Sequence, residues 1–194
     1  MGASNALAAG LTDSLVQCEP SFFKNLYAQR VELSRLTKLG QDDQHAVAWL
    51  SVADRSKTDT ATQHFSKPVD DKGLQLTGYY DRIFDLGQEG TYYFWGFETD
   101  ASREAVMARL PQAGWQEAGE YFISKPQIKP ASDTKWHANP AAASGIAPAP
   151  GSAEKLLMLS TEDGKTRLLC SLQGSVDSSL LQQERPDISQ GGQQ

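Results

Sequence analysis

The sequence predicts an α+β fold in which helices pack on antiparallel sheet in two layers. Apolar residues recur at helical spacing after Pro20, and two aromatic and β-branched runs, 74–85 and 91–98, flank a short glycine-containing connection. Further along, the pair Asp163-Gly164 stands between two apolar runs, which is typical of a two-residue hairpin turn. Hairpins pair neighbouring strands in opposite directions, so we expect the sheet to be antiparallel.

The first helix is expected to begin at Pro20, because proline fits the first helical position. Its apolar face should continue as far as Leu39, and Gly40 would end it. The residues that define this face are Phe22, Phe23, Leu26, Tyr27, Val31, Leu33 and Leu36.

Two segments separate this helix from the first hairpin. Residues 46–53 are apolar but too few to distinguish a buried strand from a short helix. Residues 54–73 are polar apart from a short aromatic piece at 64–68, and most of them are interpreted as loop. They include the motif F-S-K-P at 65–68 and the pair Asp70-Asp71, interpreted as a solvated turn.

The second strand of the first hairpin carries aromatic side chains on both faces. By strand alternation, Tyr93, Trp95 and Phe97 point one way, and Tyr92 and Phe94 point the other. One face should meet the helix layer. The other is either covered or exposed as a binding surface, and the sequence does not say which set faces outward.

A second helix should follow this hairpin, with Thr99 and Asp100 offering its cap and Pro111 ending it. Residues 119–124 then read G-E-Y-F-I-S and are predicted to form another strand.

A long segment rich in Ala, Pro, Ser and Gly covers residues 129–153. Such a composition buries little apolar area, so we expect a mobile loop. Within it, Trp136 is costly to expose to water. It therefore either folds back onto the domain or anchors a partner.

The register of the last hairpin follows from counting outward from its Asp163-Gly164 turn. Alternation places Cys170 on the face of the leucines, which we expect to point into the core. The predicted pairs are Glu162 with Lys165, Thr161 with Thr166, Leu159 with Leu168, and Leu157 with Cys170.

The two cysteines, Cys18 and Cys170, are predicted to form a disulfide that joins the ends of the domain. The alternative is a pair of unpaired core thiols. A disulfide favours an oxidising compartment, and the chain lacks an intact secretory signal, so we expect a mature periplasmic or secreted protein. A cytoplasmic location is the alternative.

The expected organisation is a flexible arm at 1–13, one α+β domain at 14–174 and a disordered tail at 175–194. The domain divides into possible halves at 14–98 and 99–174.

The two halves share a weak sequence echo. F-S-K-P at 65–68 and F-I-S-K-P at 122–126 each stand between a helix and a hairpin. This order of elements resembles the layout of the β-lactamase inhibitory protein family, whose tandem units each pack helices on an antiparallel sheet. The resemblance implies a tandem α+β arrangement, and it carries over no functional residue.

Composition argues against two classes of function. The 194 residues are 39% hydrophobic and carry a net charge of −6, and the 18 Lys and Arg residues form no cluster. Phosphate neutralisation needs clustered cations, so we expect no nucleic acid partner. No apolar stretch approaches the roughly 20 residues of a membrane-spanning helix, so we expect no transmembrane segment.

Motifs for catalysis and metal binding are missing from the sequence. His45, His64 and His137 show neither HExxH nor HxH spacing, and no nucleophile-elbow, dinucleotide or P-loop motif occurs. The sequence therefore indicates no metal site, no cofactor and no catalytic residue. The pair Asp42-Asp43 is interpreted as a solvated turn.

These observations favour a non-catalytic binding module of the bacterial envelope, such as an inhibitor or immunity-type protein, that engages another protein. Tyr and Trp concentrate binding energy. The candidate contact residues are Tyr92, Tyr93, Trp95, Phe97 and Trp136. The alternatives are a hydrolase that acts on an envelope polymer with paired carboxylates, and a structural envelope assembly factor.

Overall fold

A computed structural model describes residues 10–190, and an antiparallel sheet predominates in its α+β architecture. The helices are α1 (Leu11–Leu15), α2 (Ser21–Ala28), α3 (Arg30–Leu33), α4 (Arg103–Arg109), α5 (Ser178–Glu184) and α6 (Pro186–Gln190). The strands are β1 (Leu39–Asp42), β2 (Val47–Leu50), β3 (Thr62–Asp71), β4 (Leu74–Asp85), β5 (Thr91–Thr99), β6 (Gln116–Ala118), β7 (Tyr121–Pro130), β8 (His137–Ala138), β9 (Ser152–Glu162) and β10 (Lys165–Gly174).

The main sheet has eight strands in the order β3-β4-β5-β10-β9-β7-β6, with β8 paired to β7. Its central pair is β5 with β10, where Trp95 lies opposite Cys170. This pair joins strands from residues 62–99 to strands from residues 116–174. Strands β1 and β2 form a separate two-stranded ribbon.

The last hairpin has the predicted register. Leu159 lies opposite Leu168, and Leu157 lies opposite Cys170. Both turn residues have positive φ angles, 51° at Asp163 and 76° at Gly164, as a type I′ turn requires. The hairpin predicted from the runs 74–85 and 91–98 is also present, as β4 and β5.

The loop predicted for 54–73 is wrong from Thr62 onward, because β3 pairs with β4 there. This strand lies at the edge of the sheet, where polar side chains face water and a proline is tolerated. Its register shifts between His64 and Val69, a stretch that contains Pro68. The polar composition of this segment predicts a loop, but it is equally compatible with a strand at the edge of a sheet.

The first helix is shorter than predicted, because α3 ends at Leu33 and Gly40 lies in β1 rather than at a helix end. A Cβ atom on Gly40 would stand 2.3 Å from the indole of Trp49. Glycine is needed here for close contact within the β1–β2 ribbon. The undecided run 46–53 contains strand β2.

The cap of the second helix also differs from the prediction. Ser102 accepts a hydrogen bond from the backbone N–H of Ala105 and caps α4. Thr99 remains in β5, where its hydroxyl donates to the carbonyl of Gln75 at 2.8 Å.

The inner face of the sheet packs against helices and forms the main core. Alternate residues of the central strands point to this face, and most of them are apolar. Its fully buried members include Leu15, Phe22, Phe23, Leu26, Leu76, Tyr79, Trp95, Phe97, Leu157, Leu159, Cys170 and Leu172.

The predicted disulfide is present between Cys18 and Cys170, whose Cα atoms are 5.4 Å apart. Cys18 follows α1, and Cys170 points inward from β10 beside Trp95. The bond therefore fixes the amino-terminal helices to the centre of the sheet.

The predicted flexible arm at 1–13 is corrected for its last residues, because α1 begins at Leu11. The carboxylate of Asp71 accepts hydrogen bonds from the backbone N–H groups of Leu11 and Thr12 at 3.0 and 2.8 Å. Asp71 is thus a buried cap of α1 rather than a solvated turn residue. Residues 1–9 lie outside the described residues.

The predicted disordered tail at 175–194 is likewise corrected, because α5 and α6 occupy much of it. Asp177 caps α5 by accepting from the backbone N–H of Leu180 at 2.8 Å. Arg185 and Asp187 are fully buried between these helices and the sheet. Residues 191–194 lie outside the described residues.

The segment 129–153, predicted to be one mobile loop, contains regular structure in the described chain. Strand β7 extends to Pro130, β8 pairs with it, and Pro140–Ser144 form a 3₁₀ turn. Ala142 of that turn packs on Ile123 and Leu156. Alanine suffices for this contact, because the turn lies close against the sheet.

Candidate functional site

The outer face of the sheet, opposite the main core, carries an open groove. Two adjoining cavities of about 220 Å³ and 160 Å³ lie there and share the side chains of Tyr121 and Met158. We call them together the outer groove. Its main walls are Phe84, Tyr92, Phe94, Tyr121, Ile146 and Met158.

Strand alternation sorts the predicted contact residues between the two faces. Tyr93, Trp95 and Phe97 point inward and belong to the main core, and Trp95 and Phe97 are fully buried. Tyr92 and Phe94 point outward and line the outer groove. On this strand, only the outward pair, Tyr92 and Phe94, can contact a partner at the groove. Of these two, Tyr92 is a contact residue predicted from the sequence.

Aromatic contacts order the wall of the groove that is formed by Phe84, Tyr92 and Phe94. The rings of Phe84 and Phe94 meet edge to face with centroids 5.9 Å apart, and the rings of Tyr92 and Phe94 lie 6.4 Å apart. The guanidinium of Arg82 lies 4.3 Å from the ring centroid of Phe84. These rings are held in place while remaining partly accessible.

Sequence reasoning missed the second wall of the groove. Tyr121 is 40% exposed and Ile146 is 62% exposed, and they come from β7 and from the segment that follows the 3₁₀ turn. The turn is placed by Ala142 against Ile123. No local pattern marked these residues, because their approach to Tyr92 depends on the pairing of distant strands.

One end of the groove contains a charged cluster. Arg167 donates from Nε to Glu98 at 2.9 Å and also forms an ion pair with Glu162. Its guanidinium lies 4.3 Å from the ring centroid of Tyr80. Each of these charges has a partner of opposite sign, so the cluster orders the groove without leaving a free charge.

The other end contains the carboxyl of Glu154, a residue that is 1% exposed yet lines the cavity. It accepts hydrogen bonds from the side-chain amides of Asn139 and Gln173. Burial raises the pKa of Glu154, and the two hydrogen bonds only partly oppose that shift.

Trp136 folds back onto the domain, which was one of the two interpretations considered for it. Its indole N–H donates to Glu184 at 3.0 Å, and the ammonium of Lys155 lies 4.6 Å from its ring centroid. Lys155 and Glu184 form a buried ion pair at 3.0 Å. Trp136 therefore joins α5 to the inner face of the sheet, away from the outer groove.

A second cluster of ionisable groups lies inside the core. Arg185 donates to Asp81 at 2.9 Å and to Asp187 at 2.7 Å, and Arg55 donates to Asp81 at 2.7 Å. Burial alone would lower the pKa of Arg185, but the charges of Asp187 and Asp81 outweigh it and raise that pKa. Arg185, Asp81 and Asp187 have no access to solvent, so this cluster is structural.

A hydrolytic pair of carboxylates requires a separation of about 5 to 10 Å. The groove residues Glu154 and Glu162 occupy one strand at positions about 26 Å apart, since a strand rises about 3.3 Å per residue. Asp81 and Asp187 are close together but fully buried. Glu98 and Glu162 lie close together because both contact Arg167, but Glu98 is buried and both carboxylates are held in ion pairs with that guanidinium. Within the described residues, the outer groove therefore presents no free pair of carboxylates at the separation that a two-carboxylate hydrolase needs.

A wider cavity of about 490 Å³ lies between α2, the β1–β2 ribbon and the carboxy-terminal helices. Beside Pro20, Val47 and Pro186, its lining includes the long polar side chains of Lys24, Gln182 and Gln183. Such long, flexible side chains offer little rigid apolar surface, so the outer groove is the better candidate site.

Within residues 10–190, no helix has the length and apolar character needed to span a bilayer. The same part of the chain contains no group of three or more His, Cys, Asp or Glu side chains placed to hold a metal ion. Comparison of the chain with protein-family models, with curated proteins and with solved structures finds no match.

Proposed function

We propose that this protein is a non-catalytic binding module of the bacterial envelope that engages another protein through the outer groove. An inhibitor or immunity-type protein would act in this way. The observation that carries the proposal is the row of partly exposed aromatic rings, Phe84, Tyr92, Phe94 and Tyr121, on the sheet face opposite the helices.

The chemistry of this row suits protein recognition. Tyrosine and phenylalanine bury large areas at a small entropic cost, and aromatic residues are enriched at the energetic centres of interfaces. The rings of Phe84 and Phe94 are already ordered by their edge-to-face contact. Preorganised side chains lose less entropy on binding, which favours affinity.

The position of the groove also supports a tandem arrangement of two related units. Phe84 and Phe94 come from residues 14–98, whereas Tyr121 and Met158 come from residues 99–174. The echoing motifs lie in β3 and β7, and both strands shift register there. We infer that a duplicated unit formed the groove along the junction of its two copies.

The disulfide supports an exported location, periplasmic or secreted. A disulfide between Cys18 and Cys170 is stable in an oxidising compartment, whereas cytosolic thiols are kept reduced.

The test uses Tyr92→Ala and Tyr121→Ala, with Val31→Ala as the control. Val31 is a 60% exposed apolar residue on α3, outside the groove. Wild-type protein is used to capture partners from envelope extract, and the partner is identified, purified and titrated against each variant. We expect each tyrosine variant to bind about thirtyfold more weakly, which is about 2 kcal/mol, and the control to bind normally.

Two results would contradict the proposal. One is that wild-type protein captures no specific partner. The other is that the purified partner binds both tyrosine variants as tightly as it binds the control. Thermal unfolding of each variant verifies that weaker binding does not reflect loss of the fold.

A further inference from the structure

The carboxyl of Glu154 is a buried acid that lacks a cation in the described part of the chain. Three other buried acids have one, since Glu98 pairs with Arg167, Glu184 with Lys155, and Asp81 with Arg185. Asp187 also pairs with Arg185. Asp71 has no cation among the described residues either, but it accepts hydrogen bonds from the backbone N–H groups that begin α1. Glu154 instead contacts two neutral amides. A buried charge without a counter-charge is energetically costly, and ionised Glu154 carries such a charge in the wall of a cavity that a ligand can enter.

We propose that the Glu154 end of the outer groove binds a basic side chain, lysine or arginine, presented by the partner protein. This inference rests on the proposed function, because it names the chemistry of the group that the partner inserts.

The carboxylate of Glu154 has capacity for such a ligand. An ionised carboxylate offers about four acceptor sites on its two oxygens. Asn139 takes one site on Oε2, and Gln173 takes one on Oε1 at 2.5 Å. Each oxygen therefore retains an acceptor site for an ammonium or guanidinium group, and the two amides fix its orientation.

The walls of the cavity suit the aliphatic stem of a basic side chain. Ile146 and Met158 offer apolar contact, and Tyr92 and Tyr121 present aromatic rings. Lysine and arginine bury their methylene groups along such surfaces, and their cations are attracted to aromatic faces. A cavity of about 220 Å³ has room for one long side chain.

The local charge also favours a cation. Burial raises the pKa of the Tyr92 phenol, and the negative charges of Glu89 and Glu154 raise it further. Both acids act on Tyr92, which lines the cavity, and the described residues supply no ion pair to Glu154. The negative charge near the cavity therefore attracts a cation and repels an anion.

The test titrates three blocked amino acids into the isotopically labelled chain of 194 residues and follows its amide NMR signals. N-acetyl-lysine methylamide and N-acetyl-arginine methylamide carry the cation, and N-acetyl-norleucine methylamide is the neutral control. We expect at least one cationic probe to shift the signals of Tyr92, Ile146 and Met158, with affinity about tenfold or more above that of the norleucine probe. Glu154→Gln should remove this difference, and Glu117→Gln, an exposed acid outside the groove, should preserve it.

Equal binding of the norleucine probe, or no shift by either cationic probe up to its solubility limit, would overturn the inference. So would a cation preference that Glu154→Gln retains. These results are independent of the captured partner. If the partner binds through Tyr92 and Tyr121 but tolerates Glu154→Gln, the cation site fails while the proposed function stands. If no partner is captured, the proposed function fails whatever the probes show.

Discussion

Arg185 and Asp81 lie 104 residues apart in the sequence and form a 2.9 Å ion pair in which neither side chain has appreciable contact with solvent. The guanidinium also lies 4.6 Å from the ring centroid of Trp95, at the central strand pair. This contact attaches the carboxy-terminal helices to the middle of the sheet.

The first prediction is that Asp81→Ala strongly destabilises the protein. The substitution leaves Arg185 buried with one acid fewer, and breaking a buried pair in this way costs about 3 to 5 kcal/mol. Urea denaturation should show this loss in the free energy of unfolding. The control is Asp100→Ala, which removes an exposed partner of Lys165 and should cost no more than about 1 kcal/mol. If Asp81→Ala and Asp100→Ala lower the free energy of unfolding equally, the buried ion pair stabilises the protein no more than the exposed one.

The second prediction concerns the disulfide, which closes a loop of 152 positions. In the chain-entropy model, such a cross-link contributes up to about 5 kcal/mol by restricting the unfolded chain. Reductant should therefore lower the urea midpoint of the wild-type protein considerably. The double variant Cys18→Ala, Cys170→Ala should start at that lower midpoint and not respond to reductant. Two reactive thiols in the native, unreduced protein would contradict the prediction.

The parts of the fold that could be predicted are those set by local chemistry. The Asp163-Gly164 turn adopts two positive φ angles, which glycine, asparagine and aspartate tolerate best. The two-residue turn fixes the register of the hairpin as far as Cys170. The inward position of Cys170 then gave the disulfide. The turn and its register needed only residues adjacent in the chain, and the disulfide followed because Cys18 is the one other cysteine in the sequence.

The parts that could not be predicted depend on distant partners. Helix α1 is held by the carboxylate of Asp71, and α6 by the contact of Asp187 with Arg55 at 3.1 Å. Polar sequence at both ends resembles disorder until such partners are known. Alternation likewise separated Tyr92 from Trp95, but only the packing of helices on the inner face decides which of them is exposed.

The third prediction is a pH dependence caused by Glu154. Its pKa in the folded protein is raised above the ordinary value of 4.5, so the folded state holds this proton more tightly than the unfolded state. The resulting stabilisation is complete below about pH 4.5 and is lost as the pH rises through the folded pKa. Glu154→Gln cannot ionise, so its stability relative to wild type should increase over that window. Urea denaturation across the pH range measures the difference, and a difference that is constant or of opposite slope would contradict it.

The fourth prediction is that Gly96→Ala disrupts the central strand pair. A Cβ atom at this position would stand 2.0 Å from the carbonyl oxygen of Leu168 and 2.9 Å from the Cα of Leu169. Both are backbone atoms of β10, so relief requires the strands to separate. We expect a loss of more than about 3 kcal/mol, the upper range for overpacking. At Gly114, a new Cβ meets nothing within 4 Å, and only its positive φ opposes the substitution, so Gly114→Ala should cost about 1 to 2 kcal/mol. Thermal unfolding followed by circular dichroism compares the two variants. A smaller loss at Gly96 than at Gly114 would mean that β5 and β10 are not joined as closely as described, and the single groove that spans both halves of the sheet would lose its structural basis.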